Sequence, residues 1–151
     1  MNRTRHDAHE APEPHTVELP VSECWALVRS VPVGRLAVSV DGRPDIFPVN
    51  HLVDHGTIVV RTGPGTKQAA AARHQVAFEV DGYDAQHGQA WSVVIKGTGR
   101  SIERLHEVVD ALQLPVFPWQ EGSKPLFLRI EPDSITGRRI SVRGGYSTSR
   151  A

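Results

Sequence analysis

Residues 33–62 read VGRLAVSVDGRPDIFPVNHLVDHGTIVVRT. Three runs rich in valine, isoleucine and other strand formers are separated by two turn signals, Asp41-Gly42 and Asp54 to Gly56. Asp-Gly between alternating apolar residues favours the tight turn whose twist matches that of paired strands, so this stretch predicts two successive antiparallel hairpins. A proline inside the second run, Pro48, belongs on a sheet edge or at a bulge, because it has no N–H to give to a ladder.

Working outward, Ser22 and Glu23 follow Pro20 and precede Cys24, Trp25, Leu27 and Val28 at helical spacing. This predicts a short capped helix ending near Ser30, with an apolar face that covers one end of the sheet. Downstream, Gly63-Pro64-Gly65 breaks the strand, and the alanine-rich Thr66 to Arg73 predicts a short helix closed by His74. HQVAFEVDGY and WSVVIKGTGRSI predict two more strands, and Ile102 to Leu112 has the spacing of an amphipathic helix. VFPWQEGSK, from Val116 to Lys124, is the one sizeable irregular connection, and LFLRIEP and SITGRRI predict the last two strands. Six to eight short strands with few helices and no β-α-β alternation describe a small, mostly antiparallel barrel.

The 151 residues are expected to form one barrel domain over 17–143, between a loose polar tail at 1–16 and a flexible tail at 144–151. Lys+Arg and Asp+Glu are both 17, which argues against nucleic acid as a partner. Cys24 is the sole cysteine, which excludes an internal disulfide and cysteine-based zinc sites, and points to a reducing, cytoplasmic setting. No apolar run approaches the roughly 18 residues of a membrane span, so no membrane association is expected. His6, His9 and His15 lie in the polar tail without cysteines or fixed geometry, and no metal site is assigned to them.

The stretch richest in chemistry is Arg61-Thr62-Gly63-Pro64-Gly65-Thr66-Lys67-Gln68, where a strand ends, a glycine-rich turn follows and a helix begins. Backbone N–H groups at such a helix start, two cations and two hydroxyls suit a phosphate, or else the charges are merely solvated around a turn. The spacing of a nucleoside-triphosphate loop is absent. Asn50, two residues after Pro48, is either a ligand contact or the satisfied polar group of a bulge. Trp91 reads as core, interface or cofactor neighbour, and Trp119 as the rim of a site or a dimer contact. No nucleophilic triad is legible around Ser92, Ser101 or Cys24, and Cys24 reads as a small buried hydrophobe. His51 and His55 bracket a turn and read as structural or surface residues. Redox chemistry on such a chain would be carried by a bound cofactor.

Cys24-Trp25, Val33-Gly34-Arg35-Leu36-Ala37, Pro48-Val49-Asn50, Arg61-Thr62 with Gly65-Thr66-Lys67, Val76-Ala77-Phe78-Glu79-Val80-Asp81, Trp91-Ser92-Val93-Val94 and Thr136-Gly137-Arg138-Arg139 follow one another in this order. Over residues 17 to 140 the chain resembles the pyridoxamine 5′-phosphate oxidase-like, FMN-binding split β-barrel family. The resemblance implies a six-stranded antiparallel split barrel that dimerises, with FMN in a cleft between the subunits. It places Arg61, Thr62, Thr66 and Lys67 at the flavin phosphate, and Pro48, Val49 and Asn50 beside the ribityl chain and ring. Trp91 and Ser92 would approach the same cleft, from the partner subunit.

The implied activity is an FMN-dependent oxidoreductase that moves hydride or electrons between a reduced nicotinamide and a small organic acceptor. The C-terminal SVRGGYSTSRA lacks the Arg-x-His pattern that holds the vitamin substrate in true pyridoxamine phosphate oxidases, which argues against vitamin B6 oxidation. Related split barrels bind a deazaflavin coenzyme or heme, so the alternatives are a deazaflavin-dependent reductase and a non-catalytic flavin- or heme-binding module.

Overall fold

The computed structural model describes residues 15–62, 65, 71–102 and 126–141. Along the chain these form β1 (His15–Glu18), α1 (Val21–Ser30), β2 (Val33–Val40), β3 (Arg43–Asp54), β4 (Thr57–Thr62), β5 (Gln75–Asp84), β6 (Gln89–Ser101) and β7 (Leu126–Ser141). The strands run in the order β1-β7-β4-β3-β2-β5-β6, and β6 also pairs with β7. Six antiparallel strands therefore close into a ring, the split barrel expected from the sequence, and β1 is added outside it. β1 pairs with residues 138–141 of β7, whereas β4 pairs with residues 126–130. Two different strands thus share one side of β7.

Both predicted hairpins form. Asp41 and Gly42 have φ of 51° and 73°, and His55 and Gly56 have φ of 47° and 72°. Two consecutive positive φ values define the turn that a two-residue hairpin needs. Strand alternation then sorts the side chains: Leu36 and Val38 of β2, Phe78 and Val80 of β5, and Val93 and Ile95 of β6 are all buried inside the ring. Cys24 and Val28, four residues apart on α1, join the same core, so the helix plugs the barrel as its periodicity predicted. Arg139 holds the helix from outside, with Nη2 2.6 Å from Glu23 Oε1.

The structure revises three local expectations. α1 starts at Val21 after Pro20 and has no side-chain cap. The Pro20 carbonyl instead accepts the N–H groups of Glu23 and Cys24, because Ser22 already lies inside the first turn. LFLRIEP and SITGRRI are one continuous strand. The register passes from Lys96↔Ser134 to Gly97↔Pro132, so Asp133 is the extra residue of a bulge that absorbs the break the sequence suggested. His15 and Thr16, expected at the end of the tail, pair with Ser141 and Ile140. The helix expected at 66–73 is described only from Ala71 and that at 102–112 only at Ile102; the connection at 116–124 and the C-terminal tail lie outside the described residues.

Candidate functional site

β3 changes partner along its length: residues 43–50 pair with β2, and 51–54 pair with β4. Pro48 therefore sits where β3 is bonded only on its β2 side, opposite Arg35, which meets the requirement for a proline in a strand. Leu52 opposes Val59, so by alternation Asn50 and Leu52 of β3 share the outer face with Val59 and Arg61 of β4. Arg61 in turn opposes Phe127 on β7. Beneath it, Val59, Phe127 and Ile102 form a second, smaller apolar cluster outside the barrel core.

The neighbours of these residues face inward. Val49 is buried in the core, and so is the ring of His51, at 5% exposure. His51 meets Phe78 edge-on, with centroids 4.9 Å apart. Its Nε2–H donates to the Val28 carbonyl at 2.9 Å, while Nδ1 is buried without a partner among the described residues. Burial pushes the imidazole pKa below its usual value, against the opposing pull of the neighbouring carbonyls of Val28 and Pro32. Thr62 ends β4 on the inner side, and its hydroxyl is likewise buried without a hydrogen-bond partner among the described residues.

A cavity of about 530 Å³ opens between the last turn of α1, the Val31–Pro32 link and residues 50–53 of β3. Asn50 lines it, so one sequence-predicted residue borders both the Arg61 face and this open cavity. Nothing in the sequence marked the α1 side of this cavity. Its only trace was the closeness of Asn50 and His51 in the chain, since α1 and β3 meet only after folding.

Trp91 and Ser92 lie elsewhere on the ring. Ser92 opposes Asp81 and Arg138 on the outer face of β5, β6 and β7. From Pro48 the cross-strand row runs through Arg35, Glu79 and Val94, which puts the Ser92 region three strands away, about 15 Å at the usual strand spacing. Trp91 faces inward against Gly82, where a Cβ would lie 2.5 Å from its ring. Within one chain the structure therefore groups Pro48, Asn50 and Arg61, sets Val49 and Thr62 just behind them, and leaves Trp91 and Ser92 apart. Thr66 and Lys67 lie outside the described residues.

On the outer face between the two groups, Arg35 spans to β5, with Nε 3.0 Å from Glu79 and Nη2 2.5 Å from Asp81. Burial raises the Glu79 pKa, and the hydrogen bond to Asp81 strengthens the hold of Arg35 on its proton. The sequence offered Arg35 and Glu79 only as parts of longer motifs. Their pairing depends on the β2–β5 register.

Together, the closed ring, the partner change in β3 and the arginine at the end of β4 define a split β-barrel with a polar strand-end site. A sequence profile described as pyridoxamine 5′-phosphate oxidase matches residues 20–139, and the chain belongs to that family. It is 34% identical over 130 residues to an uncharacterized protein of Mycobacterium tuberculosis, covering 82% of this chain and 85% of that one. Among solved structures it is similar to an FAD-binding protein from Mycobacterium smegmatis, at 37% identity and a TM-score of 0.71, covering 82% of this chain and 98% of that one. A candidate pyridoxamine 5′-phosphate oxidase from Corynebacterium glutamicum is 35% identical with a TM-score of 0.76, covering 85% of this chain and all of that one. Among the described residues no helix is long and apolar enough to cross a membrane.

Proposed function

We propose that this protein is a homodimeric flavoprotein that holds a flavin nucleotide by its phosphate at the end of β4. Its activity is the transfer of hydride or electrons between a reduced nicotinamide and a small organic acceptor. The observation that carries the reading is the end of β4, where Arg61 on the outer face is followed by Thr62, whose hydroxyl is buried and has no partner among the described residues. A buried hydroxyl with no partner costs free energy, and a phosphate oxygen is the acceptor that would complete it. The residues present fit a phosphate: Arg61 supplies charge, Thr62 a hydroxyl donor, and Thr66 and Lys67 follow five and six residues after Arg61 in sequence.

When bound, a flavin supplies the hydride chemistry at its N5, and the protein supplies position and electrostatics. In this reading Pro48 and Asn50 line the ribityl chain and ring from β3, where the strand has lost its second neighbour. Val49 has its side chain in the core, so its contribution is backbone. Trp91 and Ser92, too far away within one chain, contribute from the partner subunit, which is why the reading requires a dimer.

The family resemblance favours FMN, while the 37% identical Mycobacterium smegmatis protein is an FAD-binding protein. Both carry the phosphate that Arg61 and Thr62 address. The decisive experiment titrates the flavin-free protein with FMN, FAD and the deazaflavin coenzyme, in the wild type and in an Arg61→Ala, Lys67→Ala double variant. Saturable flavin binding that the double variant abolishes supports the reading, and unchanged affinity overturns the site. Binding of the deazaflavin alone makes the deazaflavin-dependent reductase the function. Tight flavin binding with no turnover of nicotinamide and quinone acceptors leaves a binding module.

A further inference from the structure

The cavity beside α1 has a chemistry of its own. Val28, Val31, Pro32, Leu52 and Val53 give it apolar walls, Ser30 and Asn50 add polar groups, and among the described residues no carboxylate lines it. Among the described residues its one side chain charged at neutral pH is Arg29, since burial pushes the His51 imidazole pKa down. The Arg29 guanidinium stands over the Trp25 ring, 5.9 Å from its centroid, and has no ion-pair partner among the described residues. The end of a helix ordinarily repels an anion, because its last carbonyls carry partial negative charge. Here two of those carbonyls are engaged: Leu27 accepts from the Ser30 hydroxyl at 2.7 Å, and Val28 from His51 at 2.9 Å.

We infer that this cavity binds a small aromatic carboxylate, with its ring against Val31, Pro32, Leu52 and Val53 and its carboxylate paired with Arg29. The volume lies within the roughly 300–1,000 Å³ of small-ligand pockets, and apolar walls with one placed charge are the usual composition of such a site. Guanidinium and carboxylate form a planar, two-bonded pair, and the apolar walls favour burial of a hydrocarbon ring. The inference stands without the flavin reading. If both hold, the bound acid sits beside Asn50, at the edge of the cofactor site.

The test is equilibrium dialysis of the full chain without flavin, against 1-naphthoate and its neutral counterpart 1-naphthamide. The expected result is saturable naphthoate binding at least about tenfold tighter than that of naphthamide, the scale of one charge-assisted pair. R29Q removes that preference and R29K retains part of it; Arg29 is exposed at the helix end, so neither change disturbs the core. Equal binding of acid and amide, no saturable binding, or an R29Q variant that behaves as the wild type overturns the inference. FMN affinity is measured on the same preparations. Loss of naphthoate binding with FMN binding intact strikes only the cavity, and the reverse outcome strikes only the flavin site.

Discussion

Nε2 of His51, on the inner side of β3, donates to the carbonyl of Val28 in the last turn of α1 across 2.9 Å. The main-chain N–H of the same residue donates to the Pro32 carbonyl at 3.1 Å. One histidine thus ends the helix, fixes the link that follows it and closes the floor of the cavity.

Because its folded-state pKa is lowered by burial, His51 takes up a proton more readily in the unfolded chain. Its contribution is intact above the unfolded histidine pKa of about 6.5 and falls as the pH drops below it. Urea denaturation at pH 7.5 and pH 5 should show the wild type losing more stability on acidification than His51→Gln. Equal losses would mean that His51 does not titrate differently in the two states.

Arg129 Nη1 reaches Asp54 Oδ2 at 2.8 Å and Thr57 Oγ1 at 2.6 Å, which locks the β3–β4 turn to β7. All three groups are at least partly sheltered, so Asp54→Asn should cost about 1–2 kcal/mol, more than an exposed pair would. The hydrogen bond from Arg129 holds the Asp54 pKa below its usual value. That stabilisation is present above the unfolded carboxylate pKa and is lost as pH falls through the folded one. The acid limb of a stability profile should flatten in the variant.

A Cβ built on Gly34 would lie 2.6 Å from Cε2 of Phe78 and 2.9 Å from the Glu79 carbonyl oxygen. Phe78 is fully buried and cannot yield, so Gly34→Ala should destabilise by about 2–3 kcal/mol through overpacking. At Gly42 a Cβ meets nothing within 4 Å, and Gly42→Ala should carry only the cost of its φ of +73°, about 1 kcal/mol. Thermal melts of the two variants compare a clash with backbone strain directly.

Thr62→Val separates the binding and structural roles of one hydroxyl. Removing a buried, unpartnered group should leave the flavin-free protein as stable or about 1 kcal/mol more stable. Flavin affinity should fall several-fold in the same variant. A variant that loses stability while binding flavin normally would show that the hydroxyl serves the fold.

Much of this was legible before folding for a local reason. Asp-Gly between alternating valines specifies a hairpin through backbone sterics and burial, both properties of neighbouring residues, and β2, β3 and β4 followed. The break between LFLRIEP and SITGRRI was misread because Pro132 and Asp133 look like a turn until β6 lies alongside, when one bulged residue suffices. Arg61 and Thr62 were visible as a cation and a hydroxyl at a strand end. That one faces the outer surface while the other is buried depends on the pairing of β4 with β3 and β7.

By itself, the sequence determined β2 to β6, both hairpins, the amphipathic face of α1 and the family, since each rests on periodicity or on the order of short motifs. Tertiary structure alone decided that β3 changes partners at Asn50, that Trp91 and Ser92 lie three strands from Pro48, and that Arg29, His51 and Val53 line one cavity. Those relationships join residues far apart in the chain, and they exist only once ring closure and the register of each ladder have set the distances between them.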